Sequence, residues 1–215
     1  MLVLPAQRHT LWVNTAMSNT YPIFVDMVTE GMLPLSDDIA QRISLSLQQE
    51  KKSPNAVKTN YGWCTDEFNP LAGDLRKLQA VLVQTFFAEL KKQHKILPKM
   101  KIELVRPWLT AIEPEHTVDR DNTTRRWYTG VVWLQTTNKG SALKLHAPQL
   151  KTHTTPHGVM PFSKTILPEQ FKYVFWPAHI EHSFTVNNSF AETVLLQFTV
   201  HGGVPGIPGP GKPGK

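Results

Sequence analysis

The feature that most limits how this chain can fold is a change of hydrophobic period near Lys101. Before that point apolar residues recur at helical spacing; after it they fall into short runs separated by turn residues. The first helix is expected after Leu35. Ser36 stands in the N-cap position, Asp37 and Asp38 suit the positive end of the helix dipole, and Ile39, Ile43 and Leu47 share one face. The polar run Gln48 to Thr59, with Pro54 inside it, ends that helix and reads as a loop. A second helix is expected over Asp74–Lys95, with Leu75, Leu78, Leu82, Phe86 and Leu90 as its apolar stripe and Pro98 beyond its end. Residues 20–28 read as a single strand ahead of both helices, and Pro22 suggests an edge position.

From Lys101 onward the strand candidates are Lys101–Trp108, Tyr128–Thr136, Ala142–His146, Tyr173–Trp176 and Thr193–Val200. Asn138-Lys-Gly140 and Asn187-Asn-Ser189 are turn signals between them. Thr193–Val200 is almost continuously apolar, which requires cover on both faces. Helices first and strands afterwards define an α+β chain, with the helices on one outer face of a β-sandwich or jelly roll. Trp108, Trp127, Trp133 and Trp176 are expected to fill the sandwich core, and Trp63 with Phe68 to lock the loop between the helices.

Composition removes several function classes. A formal charge of +6 is spread over scattered pairs such as Lys51-Lys52, Lys91-Lys92 and Arg125-Arg126, so nucleic acid is not an expected partner. The single cysteine, Cys64, rules out an intrachain disulfide framework and has no activating neighbour in sequence. No apolar run approaches the roughly 20 residues of a membrane span, and the start of the chain has no signal-peptide core. Synthesis in a cytoplasm is therefore expected. Phosphate-loop and G-x-S-x-G motifs are missing.

Five segments in order resemble one known group, the bacterial and phage iron(II)/2-oxoglutarate oxygenases. Tyr21-Pro-Ile-Phe24 is similar to that family's N-terminal T-P-I strand, and Thr59-Asn-Tyr-Gly-Trp63 to its S-N-x-G-G-W. Trp108-Leu-Thr-Ala-Ile-Glu-Pro114 resembles the strand before its metal site, and Trp127-Tyr-Thr-Gly-Val-Val-Trp-Leu134 its W-S-G-V-Y-Y-L. Phe175-Trp-Pro-Ala-His-Ile-Glu-His-Ser183 resembles its F-P-S-W-L-x-H-S. The resemblance implies a double-stranded β-helix (jelly roll) over residues 20–200 with two helices packed on the outside. An N-terminal arm, residues 1–19, precedes it and a Pro/Gly-rich tail, residues 201–215, follows.

Within that resemblance the site residues depart from the pattern. The family binds iron through an H-x-H or H-x-D segment and a distal histidine; here Asp121 and Thr123 fall at the first two places and His182 at the third. Threonine is a poor iron ligand. The family's R-x-S-x-S-F-N strand, whose arginine pairs with the far carboxylate of the cosubstrate, corresponds to Thr193-Val-Leu-Leu-Gln-Phe-Thr199. Thr193 cannot replace the bidentate, charged pair. An active alternative would need a shifted triad of Asp121, His182 and His116, or Asp119 in place of His116. Arg125 or Arg126 would then supply charge beside Thr193. His116 and Asp119, with two residues between them, would face opposite ways on an extended strand unless a bulge intervenes. His146, His153 and His157 lie in or beside a Thr-rich polar stretch and read as surface histidines.

The expectation is therefore a catalytically inactive oxygenase-like jelly roll with no cofactor, serving as a structural or adaptor protein. The phage setting that the resemblance implies is a virion tail, neck or capsid surface. The alternative is an iron(II)/2-oxoglutarate dioxygenase with an unusual triad. Gly203, Gly206 and Gly209 keep the collagen period of three, with Pro205 and Pro208 between them, and Gly211 breaks it. That stretch is too short for a triple helix and suits a polyproline-II tail that contacts a neighbouring subunit, in a homo-oligomer or a larger assembly.

Overall fold

The computed structural model describes residues 18–23, 26–65, 71, 73–93, 101–121, 127–146, 154–155, 158–159 and 163–203. Most of the N-terminal arm, Phe68, Thr123, Arg125, Arg126, His153, His157 and the tail beyond Gly203 lie outside them.

The chain opens with a hairpin, β1 (Ser18–Ile23) and β2 (Asp26–Met32), where a single strand over residues 20–28 was expected. Asp26 is the one polar break within Tyr21–Val28, and the pairing Tyr21↔Val28 and Pro22↔Met27 makes two strands of it. β1 is an edge strand, as Pro22 suggested. Helix α1 (Asp37–Lys51) begins after Ser36, whose hydroxyl makes no capping bond, so its ladder starts with Ala40 N–H donating to Ser36 O. The polar run then forms a second hairpin, β3 (Ala56–Thr59) with β4 (Gly62–Thr65), in place of the expected loop. Its outer strand, β3, is the edge of the larger sheet and leaves Val57 53% exposed. Trp63 is buried, as expected, but on this hairpin. Helix α2 spans Gly73–Gln93.

The strands that follow are β5 (Lys101–Ile112), β6 (Val118–Asp121), β7 (Tyr128–Gln135), β8 (Leu143–His146), β9 (Thr154–Thr155) and β10 (Gly158–Val159). They continue with β11 (Ser163–Ile166), β12 (Lys172–Pro177), β13 (His182–Phe184) and β14 (Thr193–Gly203). The larger sheet has the order β1-β2-β12-β7-β14-β5-β4-β3, and the smaller one β11-β8-β13-β6; β9 and β10 form a separate two-stranded pair among the described residues. β14 runs between β7 and β5, so its near-continuous apolar character follows from cover on both faces.

Two apolar layers result. On the outer face of the large sheet the α2 stripe Leu75, Leu78, Leu82, Phe86 and Leu90 is at most 3% exposed and packs with Tyr128, Phe175 and Phe198. Phe86 meets Phe175 edge-on at 4.6 Å. Burying each such side chain contributes about 1.5–3 kcal/mol. The second layer fills the space between the two sheets. Gly130 on β7 is where the strand admits no side chain, because an added Cβ would lie 2.4 Å from Phe198 Cζ and 2.8 Å from Val174 O. No described helix is long and apolar enough to cross a membrane.

Candidate functional site between the sheets

Strand alternation decides what enters the space between the sheets. β7 contributes Val131 and Trp133, β8 Leu143 and Leu145, and β12 Val174 and Trp176, each at most 1% exposed. Trp133 and Trp176 are thus core residues as expected, while Trp108 and Trp127 are only half-buried. β14 contributes Thr193, Leu195 and Gln197, of which Thr193 and Leu195 are wholly buried.

His182 sits on β13, 5% exposed, with its ring 5.0 Å from that of Trp176 and 6.1 Å from that of Phe184, both edge-on. Across the strand pair it stands opposite Asp121 of β6, and a bulge follows before Phe184 pairs with Val118. The topology therefore brings the backbones of Asp121 and His182 together on adjacent strands. It does not bring His116 to them. His116 is exposed on the turn before β6, its Nδ1 2.8 Å from Pro114 O, and Asp119 is exposed as well.

Thr193 lies deeper. Its Oγ1 accepts the Ser141 N–H at 3.1 Å, and Trp133 Nε1–H donates to Ser141 O at 3.0 Å. Gly140, one residue earlier, approaches so closely that a Cβ there would be 2.6 Å from Thr193 Oγ1. The turn between β7 and β8 thus closes over the threonine, and Leu195 beside it faces Trp133 in the strand register. Ser141 Oγ is buried with no hydrogen-bond partner among the described residues. Sequence reading missed Gly140 and Ser141 as site residues. Asn138-Lys-Gly140 marked a turn, but only tertiary contact shows what that turn rests on.

The loop from β13 to β14 is held by Asn187, which is fully buried. Its Nδ2 donates to Ile112 O at 2.8 Å and to Ala191 O at 2.9 Å, while its Oδ1 accepts from Ser189 N at 3.1 Å and Ser189 Oγ at 2.7 Å. Asn187→Ala leaves the Ile112 and Ala191 carbonyls without this donor and should destabilise the protein by about 2–3 kcal/mol. Thermal unfolding measures this; a change within experimental error would show that the loop is not held this way. Nearby, Glu192 accepts from Lys51 Nζ at 2.7 Å and Trp63 Nε1 at 3.3 Å, tying α1 and β4 to the start of β14. His146 is half-buried on β8, its Nε2 2.8 Å from Ser183 Oγ. Cys64 pairs with Val57 on the outer hairpin, and burial together with that thiol raises the Tyr61 phenol above its usual range.

Two sheets in this strand order, closed round an apolar interior and flanked by two helices, define the double-stranded β-helix of iron/2-oxoglutarate oxygenases. Solved structures agree. A Pseudomonas putida prolyl-4-hydroxylase superposes with TM-score 0.57 at 14% identity, covering 81% of this chain and 92% of that one. The alpha-ketoglutarate-dependent epimerase SnoN from nogalamycin biosynthesis, in complex with Fe3+, alpha ketoglutarate and nogalamycin RO, gives 0.61 at 11% identity, covering 81% and 78%. HygX from Streptomyces hygroscopicus with nickel, 2-oxoglutarate and hygromycin B gives 0.56 at 9% identity, covering 81% and 82%. No protein-family model and no curated protein matches the sequence. At these identities the likeness shows the fold.

These neighbours correct the expectation that no cofactor belongs with such a chain. SnoN holds Fe3+ with alpha ketoglutarate, and HygX holds nickel with 2-oxoglutarate. The fit of the residues present divides in two. At the metal end, Asp121 and His182 are metal-ligating residue types on paired strands. At the far end, no lysine or arginine is buried among the described residues. Among the described residues, the polar groups at that end are the hydroxyls of Ser141 and of Thr193, the latter already bonded.

Proposed function

We propose that this chain is an oxygenase-fold protein that has exchanged catalysis for a structural or adaptor role in a larger assembly of subunits. One observation carries the reading. Thr193, which stands where the family resemblance calls for a charged anchor, is wholly buried and already bonded to Ser141 under the closed turn at Gly140. A dicarboxylate cosubstrate held there would lack a charge-assisted pair, and a neutral hydrogen bond is roughly half as strong. The virion setting, in a tail, neck or capsid surface, is supported by the family resemblance and by the collagen-like run Gly203–Gly209.

The proposal concerns turnover, and a metal held by Asp121 and His182 is compatible with it. Purified protein supplied with Fe(II), 2-oxoglutarate and ascorbate should form no succinate above the protein-free background. Succinate formation that disappears in Asp121→Ala and His182→Ala would overturn the proposal. It would establish the second reading, an iron(II)/2-oxoglutarate dioxygenase. That reading is favoured by the register that sets Asp121 opposite His182. Bound iron would supply oxygen activation; this chain's part would be to position the ion through those two residues and to exclude water with Trp176, Leu145 and Phe184 around it.

A further inference from the structure

We infer that the loop carrying Phe190 is a docking site for the Pro/Gly/Lys-rich C-terminal segment of a second copy of this chain. Phe190 is 105% exposed, the extreme among the described large apolar residues, and Val186 on the same loop is 42% exposed. An aromatic left in water usually sits on a mobile tip, but this one does not. The buried Asn187 ties the loop to Ile112 O and Ala191 O. Two backbone bonds, Glu115 N to Asn187 O at 2.8 Å and Asn187 N to His116 O at 2.9 Å, seat it on the preceding turn. The loop presents Phe190 at little further entropic cost, as a preorganised binding residue should.

The chemistry around it selects the occupant. The turn on which the loop rests carries two exposed carboxylates, Glu113 and Glu115. The segment from Gly203 to Lys215 has Pro205, Pro208, Pro210 and Pro213, the cations Lys212 and Lys215, and no acidic residue. Polyproline-II segments dock on exposed aromatic rings, and carboxylates beside the ring suit the lysines.

Chain length points to a second copy as the occupant. β14 has 11 residues and spans about 36 Å at ~3.3 Å per residue. It starts at Thr193, three residues after Phe190, opposite Ile112, and ends at Gly203 opposite Lys101. A polyproline-II chain from Gly203 would reach about 22 Å by Pro210, short of that span, so its first three prolines would be offered to a neighbour rather than to their own Phe190. In a neighbour stacked end to end, that neighbour's Phe190 lies beside them. Such a contact joins two different surfaces and propagates into a ring or a filament.

The inference extends the structural role proposed above but is tested apart from it, since succinate formation would leave it untouched. Sedimentation velocity on the full chain should show concentration-dependent self-association that weakens as salt is raised. Phe190→Ser should weaken it at least about tenfold, the range of an interfacial aromatic anchor. The full-length triple variant Pro205→Ser, Pro208→Ser, Pro210→Ser should weaken it comparably. Phe190 lies outside the core, and circular dichroism checks the folding of both variants. An equal mixture of the two variants should form heterodimers, because each retains the half that the other lacks. A chain that stays monomeric, or association indifferent to both variants, overturns the inference. So does loss with Phe190→Ser alone, or a mixture that fails to pair, since either means that Phe190 meets some other surface.

Discussion

Replacing Thr193 by arginine should destabilise the protein by about 3–5 kcal/mol and create no affinity for 2-oxoglutarate. That magnitude is typical of a buried charge without a partner. Thr193 is fully buried, and its hydroxyl holds the Ser141 N–H. A guanidinium would need the space of the turn at Gly140, where even one added carbon comes within 2.6 Å of the threonine hydroxyl. The fully buried acidic residues among those described are Glu50 and Glu89, both on the helices. Urea unfolding gives the stability, and calorimetric titration with 2-oxoglutarate in the presence of Fe(II) gives the affinity. A stable variant that gains 2-oxoglutarate binding would show that the anchor position is latent and would remove the main support for a structural role.

The second large effect is expected at Trp133. Trp133→Ala should lower stability by about 3–5 kcal/mol, the range for truncating a buried aromatic. The indole is 0% exposed between the sheets and its Nε1–H donates to Ser141 O. Its loss opens a cavity and also frees the turn that closes over Thr193. Trp108→Ala provides the control. Trp108 is half-buried, and truncating it should cost markedly less. Equal losses at the two positions, measured by denaturant unfolding, would mean that the interior is not packed as described and has room for a ligand.

The two positions also show where sequence reading stops. That Thr193 stands where the family resemblance expects an arginine is readable from the pattern of Thr193–Thr199. That its hydroxyl is engaged, and by a residue 52 positions earlier, is not. Serine and glycine after Asn138-Lys139 look like any turn, and nothing local marks them as the cover of a site. The two hairpins β1–β2 and β3–β4 were missed for a related reason. An apolar run and a polar run each hide a turn when the pairing partner, not the local composition, defines the strand.

What the sequence determined by itself is whatever depends on period. It determined the two amphipathic helices, with the Leu75–Leu90 stripe of the second, five of the ten described strands after Lys101, and the double cover demanded by β14. These follow from side-chain spacing along one segment. Only the tertiary structure decided what depends on distant segments meeting. It set Asp121 opposite His182, closed the Gly140 turn on Thr193, and presented Phe190 on a loop anchored by a buried asparagine. Each is a contact between elements far apart in the chain, fixed by which strands pair and in what register, and hydrophobic period carries no record of that choice.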